Sequence, residues 1–245
     1  MEKNFKLVVE YDGTAYLGWQ VQKTGPTVQG ELEKAIFAMT RQEVRITGSG
    51  RTDTGVHALG QAANFRCETR LTARAFLGGL NSLLPPDIAV KDVCEVPLGF
   101  HARRDARSKT YEYRIANAPV RPALLRNFCW HIKSPLSLAS MQKTAELFLG
   151  EQDFKSMEGA GSPRQSTVRR VSRSEVAPRD GLLVFTVSAS GFLHHMVRNM
   201  AGLLAAAGRK TLSVEQAAAV LSARDRNLAP ATAPAQGLFL VEVIY

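Results

Sequence analysis

The sequence predicts an α+β chain whose sheet is largely antiparallel, with helices on one face. Segments of apolar alternation, which mark half-buried strands, are interleaved with segments whose apolar residues recur every three or four positions, which mark helices. These segments come in two similar rounds, with no sequence repeat at a fixed short period. At 245 residues and 45% hydrophobic composition, the chain has enough apolar side chains for a large core in one or two domains.

The first round opens with a strand over residues 5–10, then a helix over 28–39 with Leu32, Ile36 and Met39 on one face. Strands are expected at 44–47 and 62–67. Thr72 caps a helix running to Leu84, where Leu71 and Phe76 are spaced for a hydrophobic staple and Pro85-Pro86 stops it. A strand follows over 89–96. In the second round, a strand over 109–115 precedes a helix over 138–149 that Gly150 ends. Strands at 167–176 and 182–188 lead to a helix from about His194 to Ala207, ended by Gly208. A further helix begins at Val214 behind a Ser213/Gln216 capping box, and the chain closes on a strand over 238–245. The division is expected between residues 1–104 and 105–245, with the join in the stretch 97–105.

Between the strands expected at 44–47 and 62–67 lies Gly48-Ser49-Gly50-Arg51-Thr52-Asp53-Thr54-Gly55-Val56-His57-Ala58, one carboxylate among glycines, hydroxyls and a cation. Glycines let a ligand approach the main chain closely, and Arg51 favours an ionised Asp53, as a carboxylate nucleophile requires. A polar turn explains the same residues, with Asp53 bonding its own backbone. The strand patterns on both sides favour chemistry, because sites gather on loops held at both ends by a scaffold.

The same run, with Gly60-Gln61 after it, resembles the signature of the TruA family of tRNA pseudouridine synthases. Further matches occur in order along nearly the whole chain. They include Val9-Glu10-Tyr11-Asp12-Gly13-Thr14, Gly18-Trp19-Gln20, Asn81, Leu84-Pro85 and Phe100-His101-Ala102-Arg103. Lys109-Thr110-Tyr111-Glu112-Tyr113, Phe192 to Asn199, Ala233 and Gly237-Leu238-Phe239-Leu240 complete the set. The resemblance implies two ferredoxin-like halves joined around a central active-site cleft. It implies isomerisation of uridine to pseudouridine at positions 38, 39 and 40 of the tRNA anticodon stem-loop, without a cofactor or metal. Carried over residue by residue, Asp53 is the catalytic nucleophile or base, Arg198 its ion-pair partner and Tyr111 the ring that stacks on the target uracil. Arg51, Thr52 and His57 are assigned to substrate binding. A homodimer is likewise implied.

Charge and composition agree with this. Lys and Arg number 31 against 22 Asp and Glu, a net +9 that draws a protein toward polyanions. Eight cations lie between Leu98 and Lys133, namely Arg103, Arg104, Arg107, Lys109, Arg114, Arg121, Arg126 and Lys133, against Asp105 and Glu112. Arg164, Arg169, Arg170 and Arg173 form a second group in or after the loop 159–163, and the stretch 155–170 is the candidate for a loop that adapts to different target positions. Tyr111 and Tyr113 share one face of a strand, where they serve either as stacking platforms or as core, and composition does not choose between these. On the helix after His194, Met196, Val197, Met200, Leu203, Leu204 and Ala207 form an apolar stripe, with Arg198 opposite among Ala201, Gly202 and Ala205. Those small neighbours allow another segment to approach Arg198 closely.

Cys67, Cys94 and Cys129 are far apart, so reduced thiols are expected rather than disulfides or a zinc knuckle, and adjacent His194 and His195 lack the spacing of helical zinc ligands. No signal peptide or membrane-length apolar run is visible, so a cytoplasmic protein is expected. Asp53-Thr54-Gly55 also matches the aspartic protease triplet, but those enzymes need two carboxylates sharing a proton and only one triplet occurs. A non-catalytic RNA-binding module accounts for the cations and not for an acid where RNA lies closest. A pseudouridine synthase acting on another RNA site is the nearest alternative.

Overall fold

The computed structural model describes residues 1–159 and 166–245. Arg164 and most of the expected 159–163 loop fall outside these. The chain forms two compact units, one made of Met1–Arg107 with Phe239–Tyr245, the other of Ser108–Leu238.

The first unit contains β1 (Glu2–Tyr11), α1 (Val28–Thr40), β2 (Thr47–Gly48), β3 (His57–Glu68), α2 (Ala73–Leu83), β4 (Ile88–Val96) and β10 (Leu238–Ile244). Its sheet runs β4-β1-β3-β10, with β1 antiparallel to both β3 and β4, and β10 parallel to β3. Alternation in β1 sends Phe5, Leu7 and Val9 inward, and Phe5 meets Phe65 of β3 at 5.5 Å and Phe76 of α2 at 4.7 Å. The Thr72 cap forms as expected, its hydroxyl accepting from Ala75 N at 3.2 Å.

The second unit contains β5 (Ser108–Asn117), β6 (Trp130–Ile132), α3 (Leu138–Glu146), β7 (Gly150–Asp153), β8 (Val168–Arg179), β9 (Leu182–Ala189), α4 (Met196–Gly208) and α5 (Val214–Ser222). Strands β5-β9-β8-β7 pair antiparallel, and β6 lies parallel to β5. Helix α3 packs against α4, α5 and β8. The Ser213/Gln216 capping box opens α5 as expected. The α+β class and largely antiparallel sheets therefore agree with the sequence.

Several boundaries differ for identifiable reasons. No strand forms over 44–46, because side chains of α1 take the backbone of Ile46: its N–H donates to Glu33 Oε1 at 2.9 Å and its carbonyl accepts from Gln29 Nε2 at 3.1 Å. Strand β3 starts five residues before the expected 62, since His57 and Ala58 already pair with Phe239 and Leu240. Helix α4 starts at Met196 rather than His194, because His195 is its N-cap with a left-handed φ of 57°.

Candidate active site

In the first unit, the loop from Ser49 to Val56 is fastened along its length. Ser49 N donates to Ala62 O at 2.7 Å, Ser49 Oγ to Gln61 Oε1 at 2.7 Å, and Gln61 Nε2 to Gly50 O at 3.0 Å. Trp19 N donates to Thr52 O at 3.1 Å, and the Thr52 hydroxyl lies 2.8 Å from that of Tyr11. Burial pushes the Tyr11 phenol well above its ordinary range, against the opposing effect of its bonds with Thr52 and Gln61, so it stays neutral under the loop. Gly18, at φ +89°, runs so close that a Cβ there would sit 2.4 Å from Thr52 O. Val56 N closes back on Asp53 O at 3.1 Å, and Gly55 turns at φ 76°. The result is a half-buried Asp53 on a loop braced from below, with Arg51 exposed beside it.

Thr52 and His57 serve the brace. His57 is 1% exposed, stacks on Phe239 at 4.7 Å and places Nδ1 3.0 Å from Gly13 N and 3.1 Å from Asp12 Oδ1. The His57 ring is sealed within the unit. Tyr11 and Trp19 carry part of the family resemblance but were given no role by sequence reasoning; the available signal was two large aromatics in the opening run, whose polar atoms need partners when buried.

In the second unit, Tyr111 of β5 is 8% exposed, meeting Phe192 edge-on at 4.9 Å. Tyr113 is fully buried and donates its hydroxyl to Pro234 O at 2.7 Å. Both rings face the same side, and of the two alternatives Tyr113 is core. Burial raises the Tyr113 phenol far above its usual value, with the Arg198 charge opposing it. Helix α4 is buried on nearly every side, and Arg198 is half-buried. The small residues do admit another segment: a Cβ on Gly202 would lie 2.3 Å from Ala231 O, while Arg198 Nε donates to Ala233 O at 2.8 Å and Ala233 N to Arg198 O at 3.2 Å.

The strap 231–233 is fixed by a network that sequence reasoning missed. Asn199 is fully buried, with Nδ2 donating to Met157 O at 2.8 Å and Oδ1 accepting from Thr232 Oγ1 at 2.7 Å and Arg226 Nη2 at 3.1 Å. Arg226 Nη1 adds bonds to Ala229 O and Pro230 O, both 3.0 Å. An Asn inside an apolar helix was the signal, since buried amides need partners.

The family model described as tRNA pseudouridine synthase matches residues 7–105 and 144–245. The chain belongs to this family. Pseudouridine synthases isomerise uridine, and tRNA uridine is the substrate of this one. Relatives named tRNA pseudouridine synthase A include those of Geotalea daltonii, 45% identical over 99% of this chain and 100% of the relative, and Caldicellulosiruptor bescii, 43% identical with the same coverage. A Thermoanaerobacter relative is 42% identical, also covering 99% and 100%.

The cations of this pseudouridine synthase are not equivalent. Arg103, Arg104 and Arg170 are exposed. Arg114 instead lies 3.4 Å from Glu112, which also pairs with Arg179, and Arg173 pairs with Glu175. Burial disfavours the Glu112 charge, but Arg179 and Arg114 overcome this and hold its carboxyl below the ordinary range. No helix among the described residues is long and apolar enough to cross a membrane.

Proposed function

We propose that this pseudouridine synthase modifies positions 38, 39 and 40 of the anticodon stem-loop, with Asp53 as the carboxylate that attacks or deprotonates the ribose of the target uridine. The reaction detaches uracil from C1′, turns it and rejoins it through C5. No electrons are gained or lost and no group donor is needed. What is needed is an ionised acid held still beside an extruded nucleotide, and extrusion costs a few kcal/mol that contacts elsewhere must offset. The observation that carries the reading is the bracing of the Asp53 loop by Tyr11, Trp19 and Gln61, since a surface turn has no use for so many buried bonds.

Arg198 is the cation that keeps Asp53 ionised, its guanidinium aimed by the Ala233 carbonyl. Tyr111 offers the stacking face and Arg51 a phosphate or ribose contact, whereas Thr52 and His57 act through the loop they hold. Two copies of the chain grip one tRNA in the cytoplasm, and light scattering that finds a monomer at micromolar concentration removes the dimer. The decisive test incubates tRNA with Asp53→Asn, without added cofactor, and measures complex formation and pseudouridine content. Asn keeps the shape and cannot act as a carboxylate. Binding should persist and product should vanish; turnover like that of the unaltered protein would end the assignment.

A further inference from the structure

On the second unit a cavity of about 380 Å³ is lined by Arg121, Arg126, Trp130, His131, Pro234 and Gln236. Its volume is near the lower end of small-molecule sites, roughly 300–1,000 Å³, which is room for one nucleotide and not for a longer segment. The chemistry of the wall is consistent. Arg126 is oriented by a 3.0 Å bond from Nη1 to Ala123 O, and Arg121 is exposed beside it. Among the described residues no acid lines the cavity, and its two arginines attract an entering anion. Trp130 is half-buried, set edge-on to Tyr113 at 6.2 Å, with the Arg209 guanidinium 5.4 Å from its ring centre. His131 Nε2 lies 2.7 Å from Ala118 O, a pure acceptor, so that nitrogen carries the proton and the ring is held in one orientation. Gln236 supplies an amide that both donates and accepts.

We infer that this cavity binds one nucleotide of the substrate tRNA other than the isomerised uridine, its base against Trp130 and its phosphate between Arg121 and Arg126. Cations beside an aromatic platform are how proteins hold unpaired RNA. The inference rests on tRNA being the substrate. It also touches the machinery, because the Pro234 wall accepts the Tyr113 hydroxyl and is next to Ala233, which orients Arg198.

Tryptophan emission reads the site directly. The chain has 2 Trp, and Trp19 lies buried against the Asp53 loop, so the part of a tRNA-induced emission change that Trp130→Phe abolishes is the part that reports Trp130. Titration with an unmodified tRNA transcript should quench the unaltered protein, and Trp130→Phe should lose that signal while keeping near-normal affinity. Trp130→Leu, which removes the ring, should weaken tRNA binding roughly tenfold. Arg121→Ala with Arg126→Ala should weaken it further and lower the slope of log affinity against log salt by about 0.7, the single-strand value for one phosphate. Unchanged emission at saturating tRNA overturns the inference, as does unaltered affinity in both the Leu and double-Ala variants. If those variants instead dissociate a dimer without changing tRNA affinity, the cavity is a subunit contact and the inference also fails. Pseudouridine is measured in parallel: a silent Trp130 in an active enzyme counts against this cavity alone, whereas an inactive unaltered protein counts against the enzymatic reading.

Discussion

Arg198 is held through a backbone carbonyl, and that makes its replacement informative. Arg198→Met keeps most of the volume and loses both the charge and the bond to Ala233 O. If Arg198 holds Asp53 ionised, the variant should need a higher pH for turnover and lose about tenfold or more near neutrality; full activity with an unchanged pH profile removes the pairing. Tyr111→Phe should stay active and Tyr111→Ala should not, because the ring face is what stacks. Glu112 provides a separate stability test. Its folded-state pKa is lowered, so its contribution is present above the ordinary carboxylate pKa and is lost as pH falls through the depressed folded value. Glu112→Gln should therefore cost about 1 kcal/mol at neutral pH, a figure kept small because Arg179 is half exposed, and the deficit should vanish in acid melts. The loop that carries Asp53 was legible at this scale because its glycines and hydroxyls are contiguous. The bond from Thr52 to Tyr11 and the sealing of His57 were not, since both depend on residues about forty positions away.

Elements were legible where a local pattern decides them. The Thr72 cap and the Ser213/Gln216 box read correctly because all their atoms lie within one turn. The strand expected over 44–46 failed because Glu33 and Gln29, a helix away, claim Ile46's backbone, and β6 and β7 are too short to show a period. Helix α4 shows how an element positions a site. Its Gly202 face is an unobstructed seat for the strap that fixes Arg198, and the small residues that make it so were visible in sequence without their occupant. Gly202→Ala places a methyl 2.3 Å from Ala231 O, and backbone cannot yield as a side chain can. The variant should lose about 1–3 kcal/mol of stability, the usual range for overpacking, and lose kcat more than KM because Arg198 shifts with the strap. A loss of stability with unchanged kcat would show that the strap does not aim Arg198.

Across the whole molecule, a net charge of +9 foretold a polyanionic partner, but not which cations meet it. Nor could any local signal place the last strand against β3, since Phe239 pairs with His57 from the far end of the chain. The structure sorts the cations by partner. Arg114 and Arg173 are engaged by Glu112 and Glu175, so part of each charge is already answered within the protein. Arg103 and Arg104 in one unit and Arg170 in the other are exposed instead. Each phosphate contact removed should reduce the slope of log affinity against log salt by about 0.9 for duplex-like RNA. Arg103→Ala with Arg104→Ala, and separately Arg170→Ala, should therefore weaken tRNA binding at low salt, flatten its salt dependence and leave melting temperatures unchanged. Arg173→Ala is the matched control: an exposed cation on the same strand as Arg170 whose removal also frees Glu175, and which should leave the slope unaltered. Equal slopes for Arg170→Ala and Arg173→Ala would mean that bulk charge, and not placed contacts, draws the tRNA.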